Sequence, residues 1–319
     1  PTAYFNRDLY SSVARFEEDV DSLRLGAQRR LTRGHTLLGS VIYQDGLAGA
    51  RSGETFAVQA DRRDYHVDIQ HIFDGGGRVS VQSGALAAQQ DVREDTTLGS
   101  AVVTAEQTNR HRSLYSYAYF HPLPGLTVTA GVSFDGIDNP LLDEEATNPK
   151  IGIAWRPTTN TTVRAAAFKT LFGSLTTSTQ NVQPRLEPVQ IAGFTQLLFG
   201  GTADRATVQG LAIEHELLSN LFVGYQADAR DTDRVAIGLV GNAVLVTLRE
   251  REQKAYLYWM AREVLSVTAR YEYGRYGSEP LLNEFRKEFP EIKLVTVNGA
   301  GNTLGTRIIS EMRAGNVLA

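Results

Sequence analysis

With 319 residues the chain is long enough to bury a substantial core as one large or two ordinary domains, so size excludes little. Its 32 Lys plus Arg against 36 Asp plus Glu leave a formal charge of −4, which excludes the basic footprint of a nucleic-acid binder. There is no cysteine, and that removes disulfide frameworks, thiolate metal sites and cysteine nucleophiles together.

Taken in chain order, the dominant signal is alternation with a period of two. Around Leu23, Leu25 and Ala27, apolar residues alternate with Arg24, Gln28 and Arg30 one face away. Residues 62–73 and 78–91 continue as long strands bearing Gln70 and Gln82. The run from Leu126 sets Leu126, Val128, Ala130, Val132 and Phe134 against Thr127, Thr129, Ser133 and Asp135. The pattern returns around Ile151, Ile153 and Trp155. In the strand bearing Glu214 and Glu216 two carboxylates share one face. Leu221, Val223, Tyr225 and Ala227 then oppose Gln226, Asp228 and Arg230, and Leu265, Val267, Ala269, Tyr271 and Tyr273 oppose Arg270 and Glu272. Several of these runs exceed the roughly 9–11 residues that a tilted strand needs to cross a bilayer.

Between the strands lie short connections with turn chemistry: Thr32-Arg33-Gly34-His35, Asp74-Gly75-Gly76-Gly77, Pro122-Leu123-Pro124-Gly125, Thr158-Thr159-Asn160-Thr161, Leu218-Ser219-Asn220-Leu221 and Ala261-Arg262-Glu263. They predict six antiparallel hairpins. The alternate connections, at residues 46–61, 92–109, 138–147, 173–205 and 232–249, are polar and predict long loops. Short turns at one rim and long loops at the other is the asymmetry of outer-membrane barrels.

The expected fold is therefore all-β, an antiparallel up-and-down transmembrane barrel of about 12–14 strands. Its polar faces should line a lumen through Arg24, Gln28, Arg30, Gln70, Gln82, Glu214, Glu216, Gln226, Asp228, Arg230, Arg270 and Glu272. Aromatics near strand ends, namely Phe73, Phe120, Trp155, Phe222, Tyr256 and Trp259, are expected at an interfacial girdle, although the ordinary strand preference of aromatic rings also accounts for any one of them. A soluble β-sandwich with a solvated polar face is the competing architecture. No apolar run approaches a membrane helix, and the opening Pro-Thr-Ala-Tyr-Phe lacks the features of a signal peptide, so residue 1 is read as an internal or processed start.

From Pro280 the character changes. Leu281, Leu282, Phe285 and Phe289 fit one side of an amphipathic helix ended by Pro290, Ile292 to Val295 a strand, and Thr306 to Ala314 a second helix. The expected division is a barrel over 1–276 and a helix-strand-helix tail over 277–319.

Asn148-Pro149-Lys150-Ile151-Gly152-Ile153-Ala154-Trp155-Arg156-Pro157, followed by Thr162-Val163-Arg164-Ala165-Ala166, resembles strand pairs of TonB-dependent receptor barrels. Pro184-Arg185-Leu186-Glu187-Pro188-Val189-Gln190-Ile191-Ala192-Gly193-Phe194-Thr195-Gln196 is similar to the long-loop and re-entry region of receptor-like barrels, including those attached to tetratricopeptide repeats. Two features of that family, a plug domain with its energy-coupling box and an aromatic final residue, are not found in the sequence. In the tail, Leu282 to Leu294 and Gly305 to Gly315 resemble the opening of periplasmic solute-binding proteins, too short a piece to form their cleft.

No chemical motif stands out. The histidines are scattered, and His66 and His71, five apart, face opposite sides of a strand. Gly75 to Gly77 lacks the Lys-Ser/Thr of a phosphate loop, and no Gly-x-Ser-x-Gly elbow is present. The resulting expectation is a non-enzymatic outer-membrane barrel of receptor or porin type, with no cofactor and no metal. Its partners would be outer-membrane lipid, an unidentified small solute and a periplasmic protein. A structural barrel anchoring an export or assembly apparatus and an outer-membrane hydrolase are the alternatives.

Overall fold

The computed structural model describes residues 14–52, 56–140, 142–173, 185–196, 203–237, 243–262 and 265–277. The helix-strand-helix expected at the end of the chain lies outside them. The described residues are almost wholly strand: β1 (Ala14–Thr32), β2 (His35–Ser52), β3 (Phe56–Asp74), β4 (Val79–Leu98), β5 (Ala101–Leu123), β6 (Leu126–Asn139), β7 (Leu142–Thr158), β8 (Thr161–Gly173), the two-residue pair β9 (Gln190–Ile191) and β10 (Phe194–Thr195), then β11 (Ala203–Leu218), β12 (Leu221–Ile237), β13 (Ala243–Arg262) and β14 (Leu265–Gly277).

Twelve strands form one antiparallel sheet in up-and-down order, from β1 to β8 and on through β11 to β14. Each neighbour in the sheet is a neighbour in the sequence except across β8 and β11, where the chain inserts the small β9–β10 hairpin. All six expected short turns join the strands they were expected to join.

In four of the five expected long loops, 46–61, 92–109, 138–147 and 232–249, the described residues are mostly strand, and β4 passes to β5 through Gly99 and Ser100 alone. Around Arg93 and Glu106 both faces are polar, which hides the alternation, and these two side chains pair across the strands at 3.2 Å; Arg251 to Asp231 at 2.8 Å and Arg63 to Asp45 at 3.6 Å pair in the same way at the edges of two other stretches. Among the described residues, only the stretch 173–205 departs from the continuous sheet.

Residues directly opposite in an antiparallel ladder share a face. One row therefore runs Gln28, Leu38, Gln70, Gly84, Tyr115, Ser133, Asn148, and another Gln82, Tyr117, Gly131, Lys150, Phe168, Val208, Arg230, Glu250. In the central strands this face, here called inner, is the buried one, although it carries His66, Asp68, Gln70, His111, Ser113, Asp135, Asn148 and Lys150. The outer face is apolar and uncovered: Leu114 is 59% exposed, Phe134 54%, Ile151 53% and Leu211 54%. This distribution inverts that of a soluble sheet, whose apolar face is the buried one.

Candidate functional site

The inner wall of the central strands is covered by the chain itself. After β8 the chain returns over that face, and residues 185–196 lie against β3, β5, β7 and β11. Within this segment Gln190-Ile191-Ala192-Gly193-Phe194-Thr195 forms a two-residue hairpin. Ala192 and Gly193 have φ of 47° and 86°, the positive values that a type I′ turn requires at both central positions.

The wall holds the segment at three kinds of contact. Gln70 Nε2 donates to the Leu186 carbonyl at 2.6 Å, while Leu186 N donates to Asp68 Oδ2 at 2.7 Å, so both backbone polar groups of one residue are satisfied by neighbours on β3. Tyr117, fully buried, donates its hydroxyl to Glu187 Oε1 at 2.5 Å, and Arg185 Nη2 donates to the other oxygen, Glu187 Oε2, at 2.5 Å. Gln196 closes the segment on itself by donating to the Pro188 carbonyl at 2.6 Å.

The third contact is steric. A Cβ added at Gly210 would stand 2.3 Å from the Phe194 ring, and one at Gly152 would stand 2.7 Å from Ile191 Cγ2. Bare backbone at these two wall positions makes sockets for the two large apolar side chains of the hairpin. Ile191 and Phe194 pack there with Tyr115, Tyr117, Phe168, Ala206 and Val208, and the Arg164 guanidinium lies 5.7 Å from the Phe194 ring centroid.

Beneath the segment the wall is dense with buried polar groups. Asp135 accepts from Ser133 Oγ at 2.5 Å and Asn148 Nδ2 at 2.6 Å, and Lys150 Nζ donates to the Lys169 carbonyl at 3.0 Å. His111 Nε2 stands 3.7 Å from Asp135 Oδ1, beyond hydrogen-bond length. Burial works against the Arg185 charge, yet nearby carboxylates, Glu187 first and Asp135 next, hold its guanidinium more firmly protonated than in water. A cavity of about 10 Å³, room for about one water, remains between Arg185, Glu187, Asp135, Lys150 and Thr170.

The residues expected at the lumen all fall on the inner face, but in two settings. Gln70 is buried under the segment, and Gln82 stands opposite Tyr117. Glu214 accepts from Arg164 Nη2 at 3.0 Å and from Tyr256 Oη at 2.7 Å, at the segment's margin. Glu216 is opposite Phe222 near the turn. Gln226 donates to Asp228 at 3.1 Å, and Arg230 stands 3.5 Å from Glu250. Arg24, Gln28 and Arg30 on β1 and the paired Arg270 and Glu272 on β14 are exposed.

Of the aromatics expected at a girdle, Phe73, Phe120, Trp155 and Trp259 project from the outer face. Phe222 and Tyr256 do not. Phe222 stands in the row of Glu216 and Tyr258, and Tyr256 in the row of Glu214, to which it is bonded. His66 and His71 do lie on opposite faces, His71 Nε2 being 3.1 Å from His35 Nδ1 outside.

Sequence reasoning missed the residues that form the contact: Asp68, Tyr115 and Tyr117 on the wall, and Glu187, Ile191 and Phe194 in the segment. The alternation His66, Asp68, Gln70 on β3 and Ser113, Tyr115, Tyr117 on β5 was the available signal for the wall.

No protein-family model and no curated protein matches the chain. Solved structures do. The unliganded ferric citrate transporter FecA aligns over 83% of this chain and 43% of its own length, with 13% identity and a TM-score of 0.59. BauA, the ferric preacinetobactin receptor of Acinetobacter baumannii, aligns over 83% and 46% with 10% identity and a TM-score of 0.59. The FrpB iron transporter of Neisseria meningitidis aligns over 82% and 44% with 10% identity and a TM-score of 0.61. The chain thus shares the β-barrel fold of these three proteins and spans less than half of their length. The likeness to solute-binding proteins read in the tail finds no support in these comparisons.

Proposed function

We propose that the chain is an outer-membrane barrel of receptor or porin type that passes or docks solutes at its polar inner face. The observation that carries this reading is the inverted distribution of polarity. Leu114, Phe134, Ile151 and Leu211 stand outward and exposed, while Asp68, Gln70, His111, Asp135 and Lys150 are enclosed. Burying polar groups and exposing apolar ones is costly in water. In lipid the exposed face becomes the buried one, and continuous pairing from β1 to β14 satisfies the backbone groups between them. Trp155 and Trp259, beside the short turns, then sit at the headgroup level.

The solved transporters support the same reading through fold. Outer-membrane lipid and a periplasmic protein are the partners it implies. The test has two stages. Expressed behind a signal peptide, the chain should fractionate with outer membranes as a band of heat-modifiable mobility; a soluble, unshifted product would refute the location. In planar bilayers the refolded chain should then bind solutes or conduct, and silence at both polarities with no solute bound would refute passage and docking alike.

A further inference from the structure

We infer that the inner wall is a peptide-binding surface and that residues 185–196 occupy it in cis, so the ligand it takes in trans is a short peptide with an acidic side chain followed by two large apolar ones across a tight hairpin turn. The inference rests on the reading of the chain as a solute-handling outer-membrane barrel and names the class of solute.

The wall recognises peptide chemistry as such. Gln70 and Asp68 take the carbonyl and the amide of a single residue, Leu186, at 2.6 and 2.7 Å, a pairing that reads backbone whatever the side chain. Side-chain selection is added on top of it. Tyr117 offers a hydroxyl to a carboxylate, Glu187, at 2.5 Å. The sockets at Gly152 and Gly210 admit large apolar groups and would be filled by any Cβ of their own.

The test uses the full chain carrying Glu187→Ala, Ile191→Ser and Phe194→Ser, which removes the segment's own side chains and leaves the wall intact. The probe is a fluorescein-labelled synthetic peptide with the native sequence of residues 185–196. Its anisotropy should rise with the refolded barrel, the affinity should fall about tenfold or more when Tyr117→Phe or Gly210→Val is added, and a scrambled peptide should not bind. No binding, or equal binding by the scrambled peptide and the wall variants, would overturn the inference.

A second measurement leaves the segment nearly native. Ile191→Cys places the sole thiol of the chain at a fully buried position. Unlabelled native-sequence peptide, at the roughly millimolar level that matches a tethered competitor, should speed labelling of that thiol several-fold. An unchanged rate would overturn the inference too. Conductance of the same proteins separates the two readings: peptide binding without a pore would sink passage alone, whereas a pore with no peptide binding would sink the peptide surface alone.

Discussion

The inner face of this sheet divides into a covered and an uncovered region built by the same alternation. Under residues 185–196, Asp68, Gln70 and Tyr117 are buried and each reaches a group on the segment. On β1 and β14, Arg24, Gln28, Arg30, Arg270 and Glu272 are exposed. Polar residues at every second position therefore place a side chain on the inner face without saying what it meets there. In the covered region they act as anchors whose loss is felt; in the uncovered region they are solvated groups.

Glu187→Ala should have the largest effect. It leaves the Arg185 guanidinium and the Tyr117 hydroxyl without their shared carboxylate, and breaking a buried pair in this way costs about 3–5 kcal/mol. The chain can escape that cost by releasing the segment to solvent, so the loss should surface as undocking, not as unfolding of the sheet. Hydrogen exchange should accelerate in residues 185–196 and stay slow in β3 to β8. Uniform acceleration across the strands would mean that the covered region is a structural core, erasing the distinction.

Next comes a comparison within one row, which runs Gly210, Asp228, Glu252, Gly274. Gly210→Val would drive two methyls into the Phe194 ring and cost about 1–3 kcal/mol of docking. Gly274→Val, on the uncovered β14, should be neutral or slightly stabilising, since a β-branched residue suits a strand. Thiol labelling at Ile191→Cys reads both, and equal effects would show that the segment does not depend on the Gly210 socket. Smaller and opposite in sign is Ala192→Gly, which relieves a left-handed alanine worth about 1 kcal/mol and should slow that labelling.

The sheet was legible because alternation needs only local sequence. Leu126 to Asp135 announced β6, and the Gly, Asn and Pro turns fixed the six hairpins. The strand extensions above them were not legible: around Asp91, Arg93, Asp95 and Glu106 both faces are polar, so period two vanishes although Arg93 still pairs with Glu106 across the strands. Phe222 was misplaced by its nearness to a turn, when its parity with Gly224 and Gln226 already set it on the inner face. Tyr256 gave no such clue, because β13 has aromatics on both faces, Tyr256 and Tyr258 inward and Trp259 outward; its partner Glu214 is 42 residues away. The covered site was hidden for the same reason. Leu186 meets Asp68 across a separation of 118 residues, and no local pattern reports such a pairing. The Pro184–Gln196 motif stood out as a unit, but its resemblance indicated a loop, not the wall it returns to.

The smallest expected effect is the sharpest control on the division. Glu272→Gln removes the carboxylate bonded to Arg270 on the uncovered wall, with the two side chains 44% and 55% exposed. Water solvates whatever the pair loses, and ion pairs this exposed contribute about 0–1 kcal/mol. The variant should therefore keep thermal stability and segment exchange within error of the parent. It still changes the charge of the inner face by one unit, so in a conducting barrel it should shift cation-over-anion preference, read as a reversal potential in a salt gradient. A stability loss comparable to that of Glu187→Ala would mean that β14 is covered as the central strands are, and the peptide surface would then have to extend to it.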